Sequence, residues 1–69
     1  MDDNRRPDVS RVREAVASLP ALPRAVFRLH AAERLDYPTI AERLGVSIPE
    51  VEQALAEALG QLMHALEPP

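Results

Sequence analysis

A chain of 69 residues makes one domain with no room for a second, and at this length only about 60% of the unfolded surface can be buried, so the core is small. Cysteine is absent, which excludes disulfides and thiolate metal sites. No stretch has the apolar run of a signal peptide or a membrane-spanning helix, so the expectation is a soluble, cytoplasmic domain with no membrane association.

The net charge of −3 is unevenly spread, with seven arginines against five acids in residues 1–34 and only Arg43 against six acids in residues 35–69. Lysine does not occur.

Residues 1–7 are polar and without periodicity, and the expectation is a flexible N-terminal arm ahead of a domain over 8–67. Val9, Val12, Val16 and Leu19 then repeat at helical spacing, with Asp8 placed to cap the first helix. "LPALP" ends that helix and opens the next, because proline is tolerated in a first turn and not in an interior. Leu22, Ala25, Val26 and Leu29 form the apolar stripe of the second helix, with Phe27 beside it. Arg24 and Arg28 fall on its wet face.

The third helix is short. Asp36 caps it, Pro38 fits its first turn, Ile40, Ala41 and Leu44 point inward, and Gly45 closes it with a left-handed residue. "SIPE" opens the fourth helix as a capping box, with Ser47 as cap, Pro49 in the first turn and Glu50 reaching back. Val51, Leu55, Ala58, Leu62 and Leu66 make its buried stripe, and the wide apolar run of Leu59, Leu62, Met63 and Leu66 leaves open a partner groove beside the ordinary core reading. Gly60 weakens this helix by about 1 kcal/mol relative to alanine without having to end it. The closing "EPP" terminates it. The expected fold is all-α, a small four-helix domain.

Ile40, Ala41, Leu44, Gly45 and Val46, followed by Val51 and Leu55, spell a helix-turn-helix without a wing. Ala41 is small because the second helix crosses close to it, Gly45 supplies the turn, and the branched residues fill the wedge. No nucleophile–base pair, glycine-rich phosphate loop or ligand cluster appears, so neither catalysis nor a cofactor, metal or small-molecule substrate is expected. His30 reads as a packed or phosphate-adjacent residue, His64 as a partner of the helix dipole, and Tyr37 as core.

The stretch Leu19 to Ser47, "LPALPRAVFRLHAAERLDYPTIAERLGVS", resembles region 4 of the sigma-70 family, particularly its extracytoplasmic-function group. Those sequences read L-P-x-x-x-R-x-V-F-x-L-H and then L-x-Y-x-x-I-A-x-x-L-G-V-S. Leu19, Pro20, Arg24, Val26, Phe27, Leu29 and His30 fall on the first part, and Leu35, Tyr37, Ile40, Ala41 and Leu44 through Ser47 on the second. The resemblance implies a last helix that reads the −35 promoter element in the major groove, and a domain that docks on the β flap of RNA polymerase. It makes Arg24 and Arg28 candidates for phosphate contact, and Arg43, Ser47 and Gln53 complete the candidate DNA-binding set. Region 2, which melts the −10 element in that family, is not in the sequence, so the expectation is a region 4 domain and not a complete sigma factor.

Past Ser47 the pattern holds on the buried face and fails on the wet one. Family members place Lys, His or Arg at several exposed positions, where this chain has Gln53, Ala54, Glu57 and Gly60. Glu50, Glu52 and Glu57 give the helix an acidic face, with Glu50, Gln53 and Glu57 together opposite the buried stripe. DNA affinity comes largely from neutralising phosphates, and base contacts need phosphate contacts to hold them in register. Isolated DNA binding is therefore expected to be weak. Two readings stay open: a DNA-binding module that works beside RNA polymerase, or a protein-interaction module that binds the polymerase or an anti-sigma factor.

Overall fold

The computed structural model describes residues 9–67, the side chain of residue 9 excepted. The expected arm over residues 1–7, the Asp8 cap, the inward side chain of Val9 and the two terminal prolines lie outside the described residues. Within them the chain forms four helices: α1 (Val9–Ala17), α2 (Ala21–Ala31), α3 (Tyr37–Leu44) and α4 (Ile48–Ala65). None is long and apolar enough to cross a membrane.

Local chemistry sets most of the boundaries. Pro20 sits at the N-cap of α2 without a side-chain bond of its own, and Pro23 follows in the first turn, where a missing N–H costs nothing. The Asp36 carboxylate accepts the Thr39 N–H at 3.0 Å and starts α3. Gly45 ends it at φ +70°, turning the chain so that the Val46 N–H reaches the Ala41 carbonyl at 3.0 Å. The capping box of α4 is complete. Ser47 Oγ accepts the Glu50 N–H at 3.2 Å, and Glu50 Oε1 accepts the Ser47 N–H at 2.7 Å. Gly60 lies inside α4, which runs on to Ala65.

One turn carries no glycine signal. Arg34 adopts φ 57° at the exit of α2, a conformation costing an L-residue roughly 1–2 kcal/mol. The loop is held around it by the Leu35 N–H on the Leu29 carbonyl at 3.2 Å. His30 adds Nδ1 against the Leu35 carbonyl at 3.3 Å, and its ring tilts over Tyr37 with centroids 5.6 Å apart. His30 is thus an exposed residue that ties down the α2–α3 loop, and Tyr37 is half-buried beside it.

The longest helix organises the rest: α4 packs against α1, α2 and α3. Val26 from α2, Ile40 and Ala41 from α3, and Val51, Ala54 and Leu55 from α4 make one buried cluster, with Leu44 and Val46 half-buried at its edge. Buried residues are apolar throughout the described chain.

Two expected faces need correction. Leu66, placed on the buried stripe, is 40% exposed, and Val12 of α1 is 37% exposed. Ala54, placed on the wet face, is 4% exposed and belongs to the core. The two errors on α4 have one cause, the width of the covered strip. Near Ala54, α4 has α2 and α3 beside it and buries a broad strip. Near Leu66 it has α1, whose Arg11, Glu14, Ala15 and Ser18 lie against Gln61 and Ala65. At about 100° per residue, Leu59, Met63 and Leu66 fall on the flank turned away from those two residues.

Candidate nucleic-acid interface

The start of α4 is where a helix-turn-helix would meet DNA. A helix N-terminus presents free N–H groups and a positive dipole end, which together attract phosphate. Here a carboxylate already stands in that field. Hydrogen bonds from the Ser47 backbone and then its side chain hold the Glu50 carboxyl below the ordinary glutamate range, so it is anionic at neutral pH. Ser47, a candidate DNA contact, has its hydroxyl oxygen committed to the same box.

Gln53 is exposed and borders a shallow groove between the start of α2 and α4, together with Leu22, Pro23, Glu50, Ala54 and Glu57. Glu57 accepts from Gln61 Nε2 at 3.4 Å. Glu52 lies on the other flank of α4, exposed. The acids therefore straddle the outer face and do not gather on one line: Glu50 and Glu57 edge the α2 side, and of these three residues Gln53 is the one on the outer crest. Pro49, Ala56 and Gly60 join Gln53 along that outer crest, all of them exposed.

The candidate arginines lie elsewhere. Arg24, Arg28 and Arg43 line a second groove, between α2 and α3, over a floor that includes Ala21, Ala25 and Leu29. This groove shares no residue with the one that holds Gln53. The helical spacing of α2 explains the separation. Leu22, Pro23 and Val26 turn toward α4, and Arg24 and Arg28 come out on the other side.

The three arginines differ in how far they are committed. The Arg24 guanidinium donates to the Ala17 carbonyl at 3.2 Å and closes the C-terminus of α1. Arg43 stands 3.9 Å from Glu33, both half open to water, a pair worth about 0–1 kcal/mol. Arg28 is exposed. It also borders a neighbouring groove with Val12, Arg13, Val16 and Ala17.

Sequence reasoning missed the structural use of arginine. Arg11 donates to the Ala65 carbonyl at 3.1 Å and ties α1 to the end of α4, as Arg24 ties α2 to the end of α1. A cation near a helix C-terminus is the signal that could have found both, but the helices concerned are not the ones carrying the arginines. His64 does lie in the last turn of its own helix and faces Glu67 at 3.8 Å. No group of three or more His, Asp or Glu side chains among the described residues is arranged to hold a metal ion.

A family model described as "Sigma-70, region 4" matches residues 10–62. No curated protein and no solved structure matches the chain. The matched span runs from α1 through most of α4 and includes the whole helix-turn-helix, with Ile40, Ala41, Val51 and Leu55 buried and Gly45 in its left-handed turn. The chain belongs to the sigma-70 region 4 family, the helix-turn-helix, DNA-binding domains of transcription initiation that bind RNA polymerase and promoter DNA.

Proposed function

We propose that this domain acts in transcription initiation as a −35-type helix-turn-helix module whose own hold on promoter DNA is weak, so that it works only beside RNA polymerase docked on the β flap. The observation that carries this reading is the split of charge between two surfaces. The exposed side of α4 offers Glu50, Glu52 and Glu57 and no cation before His64. The arginines that would neutralise phosphates line a different groove. A major-groove helix without flanking cations loses most of the sequence-independent part of its affinity.

The test is a titration of labelled promoter-length duplex at two salt concentrations. The unmodified domain binds no better than the non-specific range, with Kd about 10⁻⁴ M or weaker at physiological salt. Glu52→Lys combined with Glu57→Arg leaves the buried stripe intact and turns repulsion into attraction. That variant binds measurably, with a log K against log salt slope steeper by about 2 if both cations reach phosphates. Sub-micromolar, salt-steep binding by the unmodified domain would overturn the reading.

The same charge split supports a second reading, in which the scaffold is kept for protein contact alone and the partner is RNA polymerase or an anti-sigma factor. Pull-down from a lysate with Glu52→Lys/Glu57→Arg separates the two. A purely protein-binding module gains no DNA in the presence of polymerase, whereas a promoter module does.

A further inference from the structure

Two surfaces of this domain are complementary to each other and cannot meet within one molecule. The groove between α2 and α3 has a floor containing two alanines, Ala21 and Ala25, with Leu29. Arg24 and Arg28 line it from α2 and Arg43 from α3, and Glu33 also lines it, 3.9 Å from Arg43, so cations outnumber acids there without being alone. The outer face of α4 is its counterpart in shape and charge. Its crest is small or short, with Pro49, Ala56 and Gly60 around Gln53, and carboxylates flank it on both sides, Glu52 on one and Glu50 with Glu57 on the other. A helix with a low crest can settle deep into a shallow groove, and its flanking acids then come level with the arginines on the two rims.

Gly60 keeps the crest of α4 low. A Cβ built there meets nothing within 4 Å, and Gly60 sits within a regular helix whose other glycine-free turns need no such residue. Glycine at that place weakens the helix by about 1 kcal/mol, and no contact inside the domain calls for it. Its bare backbone leaves room for the close approach of another backbone.

We infer that the arginine-rimmed groove between α2 and α3 receives the outer face of α4 from a second copy of this chain. Donor face and acceptor groove are different surfaces, so the contact is heterologous and the copies join head to tail. With few apolar side chains at its centre the association is weak, with Kd on the order of 10⁻⁴–10⁻³ M. It is also sensitive to salt, since the Debye length falls to about 3 Å at 1 M. Docking covers the outer face of α4, so a copy engaged this way has that face closed to any other partner. The inference is separate from the promoter reading, because its test contains neither DNA nor polymerase.

Analytical ultracentrifugation of the full chain across a concentration series reads it directly. At low salt the unmodified chain shows a mass rising past dimer, and in about 1 M salt it returns to monomer. Arg28→Glu spoils the groove and keeps the donor helix. Glu52→Gln/Glu57→Gln spoils the helix and keeps the groove. Each variant alone is monomeric, while their equimolar mixture forms a one-to-one pair that grows no further, because only one productive contact remains. Gly60→Gln separates docking from folding, since it raises the melting temperature and abolishes association. Circular dichroism checks that each variant is helical, and Arg28→Gln replaces the reversal should that one unfold. A chain that stays monomeric at low salt to millimolar concentration overturns the inference. So does a mixture of the two variants that remains monomeric, or a Gly60→Gln chain that associates like the parent.

Discussion

The two halves of α4 are built differently. Its first eleven residues bury Val51, Ala54, Leu55 and Ala58, whereas from Leu59 to Ala65 only Leu62 is buried. In the second half Leu59 is 46% exposed and Met63 is 70% exposed. The sequence is apolar in both halves, so composition does not make the difference. The packing does: Val26 of α2 with Ile40 and Ala41 of α3 clusters with the first half, and α1 lines a groove with Gln61 and Ala65 of the second, where Arg11 donates to the Ala65 carbonyl. The helix-turn-helix therefore carries more of the buried cluster than the tail of α4 does.

Truncation on either side of that boundary tests the contrast most severely. Ile40→Ala removes a fully buried side chain from the cluster beneath α4 and should cost about 2–5 kcal/mol. The whole domain has only about 3–10 kcal/mol at the usual per-residue rate, so a collapsed thermal melt is the expected result. Leu44→Ala, from a half-buried position, falls between that and Leu66→Ala, which should change stability by less than about 0.5 kcal/mol. Equal losses at Ile40 and Leu66 would mean that the tail is as firmly packed as the helix-turn-helix.

A single substitution made at the two glycines sharpens the comparison because its sign should reverse. Gly45→Ala forces a Cβ into a left-handed turn at φ +70° and should destabilise by about 1–2 kcal/mol. Gly60→Ala enters open space within a continuous helix and should stabilise by up to about 1 kcal/mol. Melting temperatures measured side by side decide it. Losses at both positions would place an unseen constraint on the second half of α4.

The elements that could be read from sequence are those with local causes. Asp36 with Pro38, Gly45, and the run Ser47, Pro49 and Glu50 each act on the helix they adjoin, and the observed boundaries fall at them. The centre of the buried face of α2, α3 and α4 was legible for the same reason, since a helical period fixes it, whereas on α1 Val12 is exposed. Its width was not. Ala54 and Pro23 are buried, and Leu66 exposed, according to which helices lie alongside, a property of the assembled fold. Arg34 in a left-handed turn left no trace either, because surrounding contacts impose that conformation against the residue's own preference. At the candidate site the charges themselves were legible and their grouping was not. Nothing in the spacing of Arg24, Arg28 and Arg43 says that α3 brings the last of them beside the first two, on the side of α2 away from Gln53.

The smallest expected effect concerns the caps that open α3 and α4, and it is read in acid. Hydrogen bonds from the Thr39 side chain and then its backbone N–H hold the Asp36 carboxyl below the ordinary aspartate range. The Glu50 carboxyl is lowered in the same way by Ser47. A carboxyl whose folded pKa lies below its unfolded value contributes stability that is complete above the unfolded value, near 4, and is lost as pH falls through the folded one. Both groups are fully exposed, so the loss is modest. Asn is as good an N-cap as Asp, and Gln completes a capping box as Glu does. Asp36→Asn combined with Glu50→Gln therefore keeps both caps while removing both titrations. Melts of parent and variant between neutral pH and pH 3 should show a smaller fall for the variant. Parallel curves would place the acid sensitivity of the fold in other carboxylates and leave these two caps with a purely geometric role.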